Sequence, residues 1–429
     1  MGVNSKAFLS ISVLLLAPIS FGTITSFPSI GIMSLTEKYP QLSEERFKNL
    51  ISWFTDAARL SAGVGPFLII PILPKFGRKI MLSISSFLIA CCWFLILTIN
   101  MKDKSRNVPF NLVNAIITRT ILGLFWGCMC CIALVYITEL SPPDSYGIFC
   151  SCYQLFIILG ICLNNIIGAF VDYKTLIIID SMINVLLGIA VIFIKDSPVS
   201  KKLKSRKICH FCDTSENGTH NFVHSKSFYK TVLSSFAMLI FQQYCGINAI
   251  LNNLSTIMSM SGLNLNPNLQ SALSTMAQFL ACLIACFLMD SVGIRILWIV
   301  SSLGCLLSLV VYSYCIYSPE NLASVRGYIP ALSVFVYCLF FGLGQGPAPW
   351  VLFPQSYSDE LRFEGVTLTY FSHWIVSFIV CFTHPILQKK VGEFYVILIY
   401  MIFAVGSIFY GFFFIPKKSN VPEEDFAML

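Results

Sequence analysis

Neutral amide side chains occur inside the apolar stretches of this chain, where polar residues are rare. They are Gln154, Gln242, Gln243, Asn248 and Gln278. Two tryptophans, Trp350 and Trp374, lie in similar surroundings. An amide both donates and accepts hydrogen bonds, and an indole offers a flat apolar face. Together these side chains suit a neutral, hydroxyl-rich small molecule, whereas the structural alternative is that each amide bonds one helix to another.

The sequence contains no arrangement typical of a catalytic site. It has no phosphate loop, no nucleophile motif and no pair of carboxylates at catalytic spacing, which argues against an enzyme and against a cofactor. The net charge of +7 forms no basic face rich enough for nucleic acid. Fifteen of the 17 cysteines lie in or beside apolar stretches, where they behave as small apolar residues.

One candidate metal site remains open. Its four zinc-type ligands are Cys209, Cys212, His220 and His224. The seven residues between the inner Cys and His are fewer than in a usual zinc finger, so a solvated loop is the favoured interpretation.

The amides and tryptophans must be positioned by helices that cross a membrane. Of 429 residues 56% are hydrophobic and 11% charged, whereas about a quarter are charged in soluble domains. A bilayer core about 30 Å thick needs about 20 apolar residues in a helix. The sequence therefore predicts an all-α polytopic membrane protein with two six-helix bundles. The twelve predicted spans are 7–33, 50–73, 80–99, 112–138, 148–170, 175–195, 229–253, 268–289, 295–317, 328–353, 366–386 and 392–415.

The basic residues predict how the chain is oriented. If the amino terminus is cytoplasmic, the connections on that side hold 16 Lys+Arg and those on the other side hold 10. The positive-inside rule therefore predicts that both termini are cytoplasmic. Four regions follow: a six-helix bundle at 1–195, a cytoplasmic central loop at 196–228, a second bundle at 229–416 and a cytoplasmic tail at 417–429.

The two predicted bundles align with an offset of 216 residues, because Gly77 falls on Gly293 and Glu139 falls on Gln355. Such a match indicates a duplication, as in transporters built from parallel repeats. Charged residues at cytoplasmic helix ends can hold two such bundles together. We define a predicted "charge lock" as Arg78, Lys79, Arg119, Glu139, Asp290, Arg295 and Arg362.

The charge lock lacks several members that the duplication would supply. Pro74, Gln355 and Tyr146 stand at positions whose counterparts in the other half are charged. We therefore expect easier interconversion between inward-open and outward-open states than a complete lock would allow. The alternative is that these charges only anchor helix ends at the membrane surface.

Five sequence blocks carry a resemblance to a known family. They are 75–79 (KFGRK), 136–142 (YITELSP), Gln154-Leu155 with Gly160, 242–249 (QQYCGINA) and 344–350 (GQGPAPW). Residues 371–374 (FSHW) extend the set. The chain resembles the sugar porters of the major facilitator superfamily, specifically the facilitative hexose transporters of solute carrier family 2, over essentially its whole length.

The resemblance implies facilitated transport of a hexose, glucose and/or fructose, by alternating access. It implies substrate contacts from Gln154, Gln242, Gln243, Asn248, Gln278, Trp350, His373 and Trp374. It also implies that span ten is a gate, through Gly342, Gly344, Gly346, Pro347 and Pro349. His373 resembles the fructose carriers whereas Trp350 resembles the glucose carriers, so the choice of sugar stays open. The implied partners are the sugar and membrane lipid, in the plasma membrane, with a monomer as the functional unit.

Several residues depart from the family pattern. Asn252 and Asn253 replace paired tyrosines of the outer gate, and Gly342 replaces an acidic residue. Proton-driven members carry a carboxylate in span one, where this chain has Ile24. Asp180 is expected to be the only carboxylate well inside a span, and it lies away from the expected sugar path. The sequence therefore predicts uniport.

Two other functions remain as alternatives. A carrier for another neutral polyol would need the same amides and tryptophans. A sugar sensor that does not transport would explain the accumulated departures, although sensors commonly carry a longer cytoplasmic tail than the residues after Pro416.

Overall fold

The computed structural model describes residues 5–38, 45–98, 108–142, 145–197, 199, 226–259, 266–317 and 328–416. Its helices are α1 (Ser5–Leu14), α2 (Leu16–Lys38), α3 (Glu45–Ile69), α4 (Leu73–Thr98), α5 (Val108–Leu140), α6 (Tyr146–Gly168), α7 (Tyr173–Phe193), α8 (Lys226–Tyr244), α9 (Ile247–Asn252), α10 (Leu254–Ser259), α11 (Pro267–Ser291), α12 (Ile294–Tyr317), α13 (Tyr328–Leu343), α14 (Ala348–Ser356), α15 (Arg362–Val391) and α16 (Glu393–Phe414). The candidate zinc ligands and the predicted tail lie outside the described residues.

Within the described ranges, ten helical segments are long and apolar enough to cross a membrane, and each corresponds to a predicted span. The other two predicted spans, 50–73 and 229–253, are helical as well. They are less apolar because α3 contains Asp56 and Arg59, and because α8 contains Lys226, Lys230, Gln242 and Gln243. The all-α prediction is confirmed.

The helices pack in the same way in the two halves, which we name the amino-terminal bundle (α1–α7) and the carboxy-terminal bundle (α8–α16). The pairs α3–α5, α4–α7 and α2–α6 of the first correspond to α11–α13, α12–α16 and α8–α15 of the second. Gly77 and Gly293, which the sequence offset aligns, have φ of 81° and 94°, which only glycine adopts easily. The duplication therefore extends to backbone geometry.

The bundles meet chiefly along α6–α11 and α3–α15. Outward faces are apolar, as Phe413 (71% exposed) and Ile402 (70%) show, and suit contact with lipid. Twelve crossings return the chain to the side on which it began. We call that side, which holds the start of α1 and the end of α16, the terminal side.

Two spans are interrupted near the centre of the carboxy-terminal bundle. The seventh breaks between α8 and α9 at Gly246, and the tenth breaks between α13 and α14 at residues 344–347. Gly344, Gly346 and Pro347 lie within the second break, whereas Gly342 precedes it and Pro349 follows it. The sequence-predicted interruption of span ten is therefore present.

Candidate functional site

A cavity lies between the two bundles, and all eight residues predicted to contact substrate line it. Gln154 comes from the amino-terminal bundle, and the other seven come from five helices of the carboxy-terminal bundle. Sequence reasoning missed the remaining lining residues, which are Phe21, Thr25, Ile157, Ile161, Ile247, Leu251 and Phe341. Most of these are apolar residues within apolar helices, so nothing in their local sequence distinguishes them from other core positions.

The amides of the carboxy-terminal bundle form one hydrogen-bonded chain along the cavity wall. The Gln243 amide donates to Gln242 Oε1 (3.1 Å) and lies 3.2 Å from His373 Nδ1. Asn248 donates to Gln243 Oε1 (2.5 Å) and to the Ser377 hydroxyl (3.0 Å). Because each amide orients its neighbour, this wall presents donors and acceptors in fixed directions.

Two tryptophans supply the aromatic surface of the cavity. Trp350 stacks on Tyr370, with 5.1 Å between ring centroids, and its Nε1–H donates across the bundle interface to Gln154 Oε1 (2.8 Å). Trp374 packs against Trp126 at 4.3 Å and against Phe21 at 5.3 Å. A polar wall beside flat aromatic faces is suited to a neutral ring that carries hydroxyl groups.

Gln278 and Gly342 lie directly against each other on neighbouring helices of the carboxy-terminal bundle. A Cβ added at Gly342 would approach the Gln278 side chain to 3.1 Å and its backbone oxygen more closely still. The backbone at 278 and the Gln278 Cγ therefore leave no room for a side chain at 342. Gln278 Oε1 is buried without a hydrogen-bond partner in the described part of the chain, so it is an available acceptor at the cavity.

The break in span ten is held by a residue that sequence reasoning did not single out. The Gln345 backbone N–H donates to the Ser301 hydroxyl (2.9 Å), and its side chain donates to Ser302 and Ser407 (2.9 Å each). Its carbonyl accepts from Gln242 (2.6 Å), which connects the break to the polar wall. Gln345 lies inside the sequence block at 344–350, and this position could have indicated its role in advance.

The described residues contact one another across the bundle interface on both sides of the cavity. On the terminal side, the Ile148 N–H donates to Asp290 (3.2 Å). On the opposite side, Arg59 donates to the Asn252 side chain (2.7 Å). The cavity between these contacts has a volume of about 50 Å³, enough for roughly three to five water molecules. The structure thus has a small central cavity with contacts between the bundles on both sides of it.

Six of the seven predicted charge-lock residues lie at terminal-side helix ends. Arg78 of α4 pairs with Glu139 of α5 at 2.5 Å, and Ser197 donates to the same Glu139. Arg362 of the other bundle attracts Glu139 and repels Arg78 electrostatically. Arg362 pairs with Asp359 at 2.7 Å. The direct ion pairs therefore lie within single bundles.

The other lock residues have different contacts. Asp290 accepts the hydrogen bond from α6 described above, and Arg295 donates to the Phe412 carbonyl within the carboxy-terminal bundle. Lys79 is half-buried at the start of α4, and it forms no ion pair with any side chain in the described ranges.

The assignment of Arg119 to the charge lock was wrong. Arg119 precedes Glu139 by 20 residues of the same helix, which corresponds to about 30 Å. Its guanidinium is buried among the rings of Phe27, Phe54 and Trp93, 5.4 to 5.7 Å from their centroids. This environment favours a cation–π role inside the amino-terminal bundle.

The prediction that Asp180 is the only carboxylate well inside a span was also wrong. Asp180 is fully buried on α7, does not line the cavity, and accepts through its carbonyl from Asn184. It is not the single buried acid of the spans, because Asp56 of α3 is 3% exposed and pairs with Arg59 at 2.5 Å. Charges inside predicted span 50–73 were the signal for this pair.

Comparison with known proteins decides the family. The profile of the family described as "Sugar (and other) transporter" matches residues 21–428. The chain belongs to this sugar transporter family. Members of this family are membrane transporters, so the protein is not an enzyme.

Individual relatives of this sugar transporter family member have low identity but long overlap. A facilitated trehalose transporter of Bombyx mori is 23% identical over 99% of this chain and 88% of its own length. The mouse solute carrier family 2, facilitated glucose transporter member 8, is 23% identical over 87% of this chain and 84% of its own.

Solved structures agree with the fold. The proton:xylose symporter XylE bound to 6-bromo-6-deoxy-D-glucose has a TM-score of 0.82 and 20% identity, with full coverage of both chains. The inward-open conformation of XylE from E. coli gives 0.75 at 20% identity, covering 98% of this chain and 99% of that one. The fold is therefore the twelve-helix fold of the major facilitator superfamily.

Proposed function

We propose that this protein is a facilitative uniporter that carries a hexose, glucose and/or fructose, across a membrane by alternating access. The observation that carries the proposal is the cavity between the bundles. Eight residues expected from the sequence converge there, and the described residues that line it carry neutral amides, aromatic rings, one His, the Thr25 hydroxyl and aliphatic side chains, and no carboxylate. Such a lining suits an uncharged polyhydroxylated ring.

The proposed transport cycle opens the cavity alternately to each side. Support comes from contacts between the bundles on both sides of the cavity, which must break in turn. The break between α13 and α14 supplies a point where span ten can bend, and we propose that its glycines and prolines serve as the gate. The terminal-side charges, apart from Arg119, would hold that side closed.

Uniport is supported by the absence of a carboxylate beside the cavity. Ile24 occupies the position in span one, and neither Asp180 nor Asp56 lines the cavity. We therefore expect hexose uptake into proteoliposomes to be unchanged by a protonophore at constant sugar gradient. Uptake that collapses with the protonophore would contradict uniport while leaving hexose transport intact.

The proposal includes a location and an organisation. The excess of Lys and Arg favours cytoplasmic termini, so the terminal side would face the cytoplasm of a cell whose plasma membrane holds the protein. The proposed units are the bundles 1–195 and 229–416, the loop 196–228 and the tail 417–429. Since the cavity is complete within one chain, a monomer suffices as the functional unit.

The decisive experiment is uptake of labelled sugars by the purified protein in proteoliposomes. Glucose and fructose are the proposed substrates, and trehalose and xylose are included because relatives are named for them. The variants Gln154→Ala and His373→Asn are tested beside the parent, and we expect both to weaken hexose uptake.

The same assay separates the alternatives. Uptake of a polyol in preference to any sugar would favour a polyol carrier. Binding of sugar without uptake would favour a non-transporting sensor.

A further inference from the structure

Three polar residues meet at the bundle interface on the side opposite the chain ends. Arg59 of α3 places Nη1 2.5 Å from Asp56 Oδ1, one turn earlier on the same helix. Its Nη2 donates to the Asn252 side-chain oxygen at the end of α9 (2.7 Å). The first contact lies within the amino-terminal bundle, and the second crosses to the carboxy-terminal bundle.

A buried ion pair inside a span is costly, so its presence calls for a physical reason. Asp56 and Arg59 are only 3% and 2% exposed. Two apolar residues would pack at this position without any loss of hydration. The pair becomes useful if Asp56 orients the guanidinium so that its second amino group can reach a partner on the other bundle.

Asn252 stands on the short helix α9, which is separated from α8 by the break at Gly246. The helix α9 follows the break at Gly246 and ends at Asn252. Asn248 lies in the cavity wall, and Asn252 lies one turn later on the same face of the helix. Movement of α9 therefore changes the cavity wall and the contact with Arg59 together.

We propose that Asp56, Arg59 and Asn252 form a latch that holds α9 over the cavity and closes the site on the side opposite the chain ends. The latch deepens the proposed function and rests on it. The family resemblance leads one to expect paired tyrosines at 252 and 253 as the outer gate. In this chain, a hydrogen bond from the charged Arg59 to Asn252 would close the gate in their place.

The geometry also allows the latch to release. When α9 moves away, Arg59 keeps its ion pair with Asp56, so neither charge is left alone in the membrane. Asn252 exchanges the guanidinium for water. Opening thus breaks one hydrogen bond to a charged donor, and loss of that bond should shift the closed population about tenfold or more.

Asn252→Leu tests the latch, and Asn253→Leu is its matched control. The Asn253 side chain donates to the Ala249 carbonyl of α9 (2.9 Å), so its hydrogen bond stays within the carboxy-terminal bundle. We expect Asn252→Leu to raise hydrogen–deuterium exchange of the α9 amides about tenfold and to slow hexose uptake in similar proportion. The control should show a much smaller change in both measurements.

A double-mutant cycle assigns the effect to Arg59. In the background Asp56→Asn/Arg59→Gln, which removes both charges together, Asn252→Leu should have no further effect on α9 exchange. The latch is refuted if Asn252→Leu behaves like Asn253→Leu, or if its effect persists in the uncharged background. A parent protein that moves no sugar would refute the proposed function, while the exchange measurements would still decide the latch.

Discussion

Replacing Gln278 by Leu should separate substrate binding from protein stability. The Gln278 side chain lines the cavity, is 1% exposed, and its Oε1 has no hydrogen-bond partner in the described part of the chain. A buried acceptor without a partner costs about 1 to 3 kcal/mol. Leu has a similar size and carries no such acceptor, so the free energy of unfolding should stay the same or rise.

Sugar binding should change in the other direction. If a sugar hydroxyl donates to Gln278 Oε1, the substitution removes one neutral hydrogen bond, worth about 1 kcal/mol. The KM for hexose uptake should then rise about fivefold, because 1.4 kcal/mol corresponds to about tenfold. The assay combines initial uptake rates in proteoliposomes with the Tm of the same purified variant.

A control on the same helix makes this result specific. Thr275→Val removes a buried hydroxyl that donates to backbone carbonyls of α11, at 3.1 Å, and does not line the cavity. It should leave KM unchanged. An unchanged KM for Gln278→Leu, or a rise accompanied by a lower Tm, would refute the role of Gln278 as a sugar acceptor.

Three further predictions concern other contacts. Gln154→Leu leaves the Trp350 Nε1–H buried without its acceptor, so kcat/KM for uptake should fall about tenfold, whereas a fall below threefold would argue against this contact. Gln355→Glu adds one of the charges that the charge lock lacks, beside the terminal-side arginines, so turnover should fall severalfold in stopped-flow or uptake assays. Unchanged or faster turnover would contradict the idea that the incomplete charge lock eases interconversion. Gly342→Ala places a methyl group against the Gln278 backbone, so unfolding should become easier by about 1 to 3 kcal/mol, and an unchanged Tm would show that the helices can separate at no cost.

Much of the architecture could be predicted from the sequence because the bilayer imposes a simple rule. A helix that crosses it needs about 20 apolar residues, so span positions follow from composition alone. The offset of 216 residues predicted the equivalence of Gly77 and Gly293, and their matching φ values agree. Interruption of span ten followed from its glycines and prolines, since these residues weaken a helix locally.

The charged residues show where local reasoning failed. Arg119 and Arg59 were both visible inside spans, but sequence position does not tell which side chains face each other across helices. Arg119 is surrounded by aromatic rings from three helices, and Arg59 reaches a residue 193 positions later. Such contacts depend on helix rotation and packing, which the hydrophobic pattern leaves open.

The sequence by itself determined that this chain crosses a membrane in two related bundles, and which amides and tryptophans belong to its candidate site. Composition and motif order suffice for this because each is a local property of the chain. Only the tertiary structure decided that these seven side chains share one cavity with His373, that Gly342 packs directly against Gln278, and that Arg59 bridges to α9. These are relations between distant segments, and their physical cause is the close packing of helices whose mutual orientation no single segment specifies.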